Sequence, residues 1–307
     1  MPDSVLLARS VRGGIEDDVY RGSMVIADTE GKVLTAVGNA EKRAFIRSSG
    51  KPLQVLAFVE QGGAERFGLT PAEIAILCAS HAGADMHVAT VGAVLAKAGI
   101  PLSALGSGGG IRDNCSGKHA GMLAFARMLD QPLTGCRATD HPLQREILRT
   151  ISELCGLPQA EIGVAVDGCG APIFAMPLRN MAIGYARLAN PDGLPPERAH
   201  ACRTISAAMQ AHPEMVGGLD WTLIAPGKFV AKAGAAGCYC VGIVGRNAAF
   251  AMKVDDGSAL PVHPACVELL TREGYLTAEE RQRFLELHPP AVTNRCGEVV
   301  GELEIVF

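Results

Sequence analysis

The chain is organised around a stretch of ten residues, Phe45-Ile46-Arg47-Ser48-Ser49-Gly50-Lys51-Pro52-Leu53-Gln54. This stretch places Ser48 three residues before Lys51, at the start of an apolar run that predicts a helix ending near Gly62. Because residues three apart share one face of a helix, the hydroxyl and the amine can meet. A serine hydroxyl is a poor nucleophile until an adjacent neutral lysine takes its proton. Ser48 and Lys51 are therefore the first candidate catalytic pair.

A second lysine, far along the chain, supports this interpretation. Ser-x-x-Lys is the spacing of serine β-lactamases and penicillin-binding proteins, in which a Lys-Thr-Gly element accompanies it. Here Lys232-x-Gly234 ends an apolar, strand-like run late in the chain. Such a lysine can hold a substrate carboxylate, or it can lower the pKa of a neighbouring lysine. No Ser-Asp-Asn element stands between the two motifs, which argues against a true β-lactamase.

Composition narrows the class of protein. The 307 residues are 48% hydrophobic and 20% charged, as expected of a well-buried globular enzyme. A net charge of −4 gives no reason to expect a nucleic acid or an anionic membrane as partner. With no long apolar run and no basic leader at the start, we expect a soluble cytoplasmic protein. The ten cysteines are scattered along the chain, so we expect them to be reduced and mostly buried.

Strands are predicted at both ends of the chain and helices mostly between them. The predicted strands cover residues 5–8, 20–27, 32–37, 73–80, 161–166, 228–232, 238–244, 249–254 and 298–307. Beyond the helix after Ser48, the predicted helices cover residues 85–97, 117–129, 141–155, 172–188, 196–211, 259–272 and 278–287. The alanine content of 73–80 would also allow a helix. The pattern predicts one unit with two lobes, α+β or mixed α/β, whose antiparallel-rich sheet is built from both termini around a helical insertion.

Two further groups of residues are candidates for chemistry. Ser80 and His81 end an apolar run, where a sheet often presents its site, although such a pair taken by itself is more often a capping serine and a satisfied core histidine. Cys115, Lys118 and His119 lie within one turn, and Cys169 follows a strand elsewhere. Two thiolates are suited to zinc, but Cys-x-x-Lys matches no usual zinc spacing. A helix N-terminus near an anion and a Cys115–His119 nucleophile remain open alternatives.

The glycine-rich residues 106–110 lack the Lys-Ser/Thr ending of a phosphate loop and predict a connector.

Together these segments resemble the bacterial L-asparaginase II family of the Rhizobium etli type. The matching stretches, in chain order, are Arg47-Ser48-x-x-Lys51-Pro52, Cys78-Ala79-Ser80-His81, Asn114-Cys115-Ser116-Gly117-Lys118-His119-x-Gly121-Met122-Leu123, Asp140-His141-Pro142, Asp167-Gly168-Cys169, His212-Pro213-Glu214-Met215-Val216 and Lys232-x-Gly234-Ala235. The resemblance spans nearly the whole chain. It implies a β-lactamase-like fold, a homodimer, and hydrolysis of L-asparagine to L-aspartate and ammonia.

The resemblance also implies roles for individual residues. It pairs Ser48 with Lys51 and Ser80 with Lys232, and it gives a zinc ion the ligands Cys115, Lys118 and Cys169. It places five residues around the substrate, with Asp167 fixing the substrate amine or a metal-bound water: Arg47, His81, Asn114, Asp167 and Gly234.

The resulting mechanism begins with attack by a serine, Ser48 in the first instance, on the side-chain amide carbon. Backbone N–H groups or the second Ser–Lys pair would then stabilise the oxyanion. Lys232 must be charged to clamp a carboxylate but neutral to serve Ser80, and the sequence leaves both roles open.

Other functions remain compatible with the sequence. These are a glutaminase-like or β-lactamase-like acyl hydrolase and a non-enzymatic zinc-binding protein. Relative to the family, the segment at residues 99–113 is shortened to the loop at 106–110, which is expected to change the pocket rim or a dimer contact and hence the substrate preference.

Overall fold

The computed structural model describes residues 3–106, 108–218, 220–224 and 227–307. The strands are β1 (Val5–Arg12), β2 (Ile15–Ala27), β3 (Val33–Val37), β4 (Arg43–Phe45), β5 (Gly163–Val166), β6 (Pro172–Pro177), β7 (Phe229–Gly234), β8 (Cys238–Ile243), β9 (Ala248–Val254), β10 (Ala291–Thr293) and β11 (Val299–Ile305). The helices are α1 (Lys51–Glu60), α2 (Gly63–Arg66), α3 (Pro71–Leu77), α4 (Asp85–Lys97), α5 (Ser116–Met128), α6 (Pro142–Cys155), α7 (Leu178–Ala189), α8 (Pro196–Ala211), α9 (Pro213–Val216), α10 (Asp220–Ile224), α11 (Val262–Arg272) and α12 (Ala278–Leu287).

The main sheet is built from both ends of the chain, as the sequence predicted. Its order is β10-β11-β1-β2-β9-β8-β7, with β3 also paired to β2. Neighbouring strands are antiparallel, and the register sets Ala8 opposite Ile305 and Gly22 opposite Val254. The first strands of the chain therefore lie between strands from its last third. The α/β class with an antiparallel-rich sheet is confirmed.

The sheet and one helix form the centre of the molecule. Strands β8 and β9 are buried along almost their full length, because α7 packs on them and α11 also contacts β9. Helix α1 is buried from Lys51 to Val59 and contacts α5, α6 and α8. A second, three-stranded sheet with the order β4-β6-β5 leads into the turn before α1. The functional segments thus converge where α1 meets the end of β7.

Several elements differ from the sequence prediction, and the short elements β4, α2, α9 and α10 were not predicted. Residues 73–80 are not a strand, because helix α3 starts at a capping box in which Thr70 and Glu73 bond each other's backbone N–H. The helix predicted over 172–188 begins only at Leu178, since residues 172–177 form β6 between β4 and β5. The short strand β10 was not predicted at all. Long-range pairing, which local patterns do not record, decided the second and third cases.

None of the helices in the described ranges is long and apolar enough to cross a membrane. The division of the chain into one domain with two lobes stays a prediction.

Candidate active site

The turn that carries Ser48 is held rigidly against the main sheet. It is a 3-10 turn, Arg47–Gly50, that runs directly into α1. The buried Ser49 hydroxyl donates to the Lys232 carbonyl at 2.7 Å, and the Tyr185 hydroxyl of α7 donates to the Ser49 carbonyl at 2.6 Å. The first bond brings the turn to the end of β7, and the second fixes it to α7. The partly exposed Ser48 side chain therefore lies on a rigid element beside that strand.

Gly234 permits this close approach. A Cβ atom at Gly234 would lie 3.0 Å from both the Ser49 hydroxyl and the Ile46 carbonyl oxygen. A larger residue would push β7 away from the turn. Gly234, which the resemblance places at the substrate, thus also has a packing role.

Lys51 is the buried cation at the centre of the site. It is 1% exposed, and its Nζ contacts the Ala79 carbonyl at 2.5 Å, the Ser80 hydroxyl at 3.0 Å and the Asn114 carbonyl at 3.2 Å. These acceptors come from the chain that leaves α3 and from the chain that enters α5. One amine therefore joins three separate segments.

Burial makes Lys51 a proton acceptor near neutral pH. Desolvation lowers its pKa to about 8; the Cys115 thiol raises it, and Lys232 and Lys118 lower it further. An ordinary lysine has a pKa near 10.5, so its neutral form is scarce at pH 7. The neutral form of Lys51 is far more accessible, as a general base requires.

Lys232 pairs with a carboxylate rather than with Ser80. Its Nζ lies 2.7 Å from Asp220 Oδ2, and both side chains are almost completely buried. Asp220 Oδ1 also accepts the Ala233 N–H at 2.7 Å. Since a desolvated charge is stable only with a partner, this carboxylate supports a charged Lys232.

Asp220 and Tyr185 were missed by the sequence analysis. Asp220 is the only charged residue between Glu214 and Lys228, an isolated acid in an apolar stretch that could have been noticed. Tyr185 carries no such signal, because its role comes from the approach of α7 to Ser49.

The pairing of serines and lysines differs from the one expected from the sequence. Lys51 contacts Ser80, and the Ser48 hydroxyl makes no hydrogen bond with a described residue. The reason is that Ser48 lies in the 3-10 turn, whereas Lys51 begins the α-helix and its side chain is drawn to carbonyl oxygens at the end of α3. The site nevertheless brings Ser48, Lys51, Ser80 and Lys232 around one region of the fold.

His81 has a supporting position. Its Nδ1 accepts the Gly83 N–H at 3.1 Å, so Nε2 carries the proton and donates to the Ser116 hydroxyl at 2.8 Å. Desolvation lowers the pKa of His81 to about 4, and the ring stacks on His87 with centroids 5.1 Å apart. A neutral, fully bonded histidine fixes the loop after Ser80 to the start of α5.

The remaining predicted substrate residues lie at the open side of the site. Arg47 and Asp167 form an ion pair with an N···O distance of 3.0 Å, and Asp167 is the more buried of the two. The Asn114 side chain is exposed, while its carbonyl accepts from Lys51. Arg47 has a positive φ of 52°, an unusual conformation for a non-glycine residue, which orients the turn before Ser48.

A second cluster of reactive groups surrounds the start of α5. Lys118 Nζ donates to Cys169 Sγ at 3.0 Å. The Cys115 and Cys169 thiols are hydrogen-bonded to each other, and this bond has the largest effect on the pKa of each. It lowers the pKa of Cys169 and raises the pKa of Cys115. Negative charge therefore collects on Cys169, next to the Lys118 amine.

These three residues fit a zinc ion in chemical type. Cys115 and Cys169 offer soft sulfur donors, and Lys118 offers a nitrogen that must lose a proton to bind. In the ranges that the structure describes, no three or more His, Cys, Asp or Glu side chains form a group that could hold a metal. A metal here would thus depend on the lysine as third protein ligand.

A family model matches almost the whole chain. The family model described as L-asparaginase II matches residues 8–112 and 106–305. The chain belongs to the L-asparaginase II family. The sequence resemblance to this family is thereby confirmed. A search of curated proteins found no significant match.

Solved structures show the same β-lactamase-like fold at low sequence identity. Mglu in its native form is 15% identical with a TM-score of 0.51, and the match covers 83% of this chain and 65% of Mglu. Mglu in its native form in the presence of 4.3 M NaCl is 16% identical with a TM-score of 0.52, covering 83% and 61%. The chain thus spans less than two thirds of the length of these Mglu structures.

The Asp220–Lys232 pair yields a prediction on stability. Replacing Asp220 with Asn leaves a buried ammonium without its counter-charge, so we expect a loss of about 3–5 kcal/mol in the free energy of unfolding. Urea denaturation at pH 7 measures it. Asp192→Asn, which removes an exposed ion pair with Arg203, is the matched control and should cost less than about 1 kcal/mol. Equal effects of the two substitutions would contradict the role given to Asp220.

Proposed function

We propose that this protein is an amidohydrolase that cleaves the side-chain amide of L-asparagine to L-aspartate and ammonia. The observation that carries the proposal is the buried Lys51, whose pKa is lowered to about 8 and whose amine contacts the Ser80 hydroxyl at 3.0 Å. Membership of the L-asparaginase II family supports the reaction class.

Lys51 acts as the base in this mechanism. As an ammonium it has three N–H groups, which match its three acceptors. When neutral, it keeps two N–H bonds for the Ala79 and Asn114 carbonyls and turns its lone pair toward the Ser80 hydroxyl. The lysine is thus held for proton exchange without moving.

Ser48 carries the acyl group in our proposal. Its hydroxyl is partly exposed and has no competing hydrogen bond with a described residue, and its turn is fixed by Ser49. The Ser48 oxygen bonds to the amide carbon as its proton passes to Lys51. Ser80 then delivers that proton to the departing nitrogen, breaking the C–N bond and releasing ammonia. Water attacks the ester by the reverse proton path and frees aspartate.

Two charged pairs suit a zwitterionic substrate. Lys232 directs one N–H to Asp220 and one to the Ala233 carbonyl, which leaves a third for the substrate's α-carboxylate. Asp167 sits at the open side of the site with Arg47 and is suited to the α-amino group. The side-chain amide would then project toward the serines.

A glutaminase-like activity is the second candidate function. One of the similar solved structures is Mglu in its L-glutamate binding form, at 16% identity and a TM-score of 0.50. Glutamine differs from asparagine by one methylene group, so the depth of the pocket decides between them. Ammonia release from both amides by the same preparation separates the two activities.

The pH dependence of kcat/KM tests Lys51 as the base. Because the neutral amine is the active form, we expect kcat/KM for asparagine to fall about tenfold per pH unit below pH 8 and to level off above it. Lys51→Arg should be inactive at every pH, since a guanidinium cannot give up its proton. Ammonia release from pH 6 to 9 provides the profile, and a flat profile would exclude a titrating Lys51.

Substitution of each serine separates the two roles. Ser48→Ala should lower kcat by about 10⁴-fold or more and leave no acyl-enzyme, while Ser80→Ala should lower it by about 10²–10⁴-fold and still form the ester. Rapid acid quench followed by peptide mass spectrometry locates the acyl group. An ester on Ser80 would reverse the assignment.

We also propose that Cys115, Lys118 and Cys169 bind a zinc ion. When bound, zinc would bring positive charge next to the site and tie the start of α5 to the turn after β5. Wild-type protein should retain about one zinc per chain after dialysis, and Cys115→Ser should retain at least tenfold less. Metal analysis measures this independently of turnover, and Cys296→Ser, at an exposed cysteine, is the control. A homodimer and a cytoplasmic location stay predictions.

A further inference from the structure

A cavity of about 690 Å³ opens beside α5, and it contains none of the proposed catalytic side chains. Its walls come from residues 103–106, from the loop at residues 133–139, and from the His119 face of α5. The volume lies in the range of small-molecule sites. This space is therefore large enough for a ligand of its own.

One unpaired cation lies in the wall of the cavity. Arg137 is half-buried, and its Nη1 donates to the Cys169 carbonyl at 3.0 Å. Within the described ranges it forms no ion pair, and its Nε and Nη2 make no hydrogen bond. No acidic side chain lines the cavity among those residues. A guanidinium whose Nε and Nη2 both have free N–H groups, with no acidic side chain among the described lining residues, is suited to a bidentate anion.

The packing around Arg137 holds the guanidinium in place. A Cβ atom at Gly170 would lie 2.6 Å from Arg137 Nη1, and one at Gly106 would lie 3.5 Å from Nη2. The two glycines thus leave a slot into which the planar group fits. A preorganised arginine loses little freedom when an anion binds.

The other lining residues describe the rest of the ligand. His119 is 2% exposed and lies close enough to Cys169 to help lower the pKa of that thiol. Its ring nitrogens have no other hydrogen-bond partner among the described residues, so one of them stays available in this wall. Met122, Leu123 and Leu133 provide apolar surface. A ligand with one anionic end and an apolar body matches both surfaces.

We propose that this cavity binds a small organic carboxylate with an apolar body, whose carboxylate receives the Nε and Nη2 hydrogen bonds of Arg137. The site is separate from the proposed catalytic serines. It does not depend on the amidohydrolase reaction. Through Nη1, Arg137 also connects the ligand to the turn that carries Cys169.

Benzoate and benzamide test the proposal, because they share a shape but only benzoate is charged. Isothermal titration of the full chain with benzoate should give one site with a dissociation constant of about 1 mM or lower. Benzamide should bind at least about tenfold more weakly. Failure of benzoate to bind, or equal binding of benzamide, would overturn the proposal.

Variants locate the site. Arg137→Gln should weaken benzoate at least about tenfold. Thr134→Trp, at an exposed lining position, should weaken it similarly by filling the cavity even if the arginine variant folds poorly. Arg112→Gln, an exposed arginine outside the cavity, is the matched control. Ser48→Ala should leave binding unchanged. Binding that survives both cavity substitutions, or that is lost in Ser48→Ala, would place benzoate elsewhere and refute the proposal.

Discussion

Three lysines buried close to one another are the constraint on which the site depends. Lys51, Lys118 and Lys232 are at most 3% exposed. Removing an ammonium from water costs several kcal/mol unless specific partners replace the solvent. The fold gives each lysine a different partner. Lys51 is bonded to two backbone carbonyls and the Ser80 hydroxyl. Lys118 is bonded to the negatively charged sulfur of Cys169, and Lys232 to the Asp220 carboxylate.

These different partners separate the functions of chemically identical side chains. The carbonyl and hydroxyl oxygens around Lys51 are neutral, so desolvation dominates and the pKa falls. Asp220 instead supplies a full negative charge to Lys232, which suits a fixed positive charge for a carboxylate. The two lysines also repel each other, which lowers the pKa of Lys51 further. In the proposed mechanism, Lys51 is therefore the base and Lys232 binds the carboxylate of the substrate.

The elements that hold these lysines come from distant parts of the chain. α1 supplies Lys51, β7 supplies Lys232, and the hydrogen bond from Ser49 to the Lys232 carbonyl joins the two. Local patterns predicted both elements, because α1 is a long apolar helix and β7 an apolar strand before a glycine turn. They did not predict β6, whose strand conformation results from pairing with β4 and β5, nor α3, whose capping box outweighed an apolar, strand-like run.

The sequence by itself determined the fold class and the sheet built from both termini, because hydrophobic periodicity is a local property. Short motifs, which are also local, predicted the candidate reactive residues. Only the tertiary structure decided which groups meet. Lys51 contacts Ser80, Lys232 contacts Asp220, and Arg137 lies beside a cavity that is lined by no acidic side chain among the described residues. The two residues of the Lys232–Asp220 contact are 12 positions apart in the chain. Those of the Ser49–Lys232 contact, which joins the turn before α1 to β7, are 183 positions apart. The partner of each buried charged side chain is the carbonyl, carboxylate or hydroxyl that the fold places next to it. The spacing of residues along the sequence does not determine that partner.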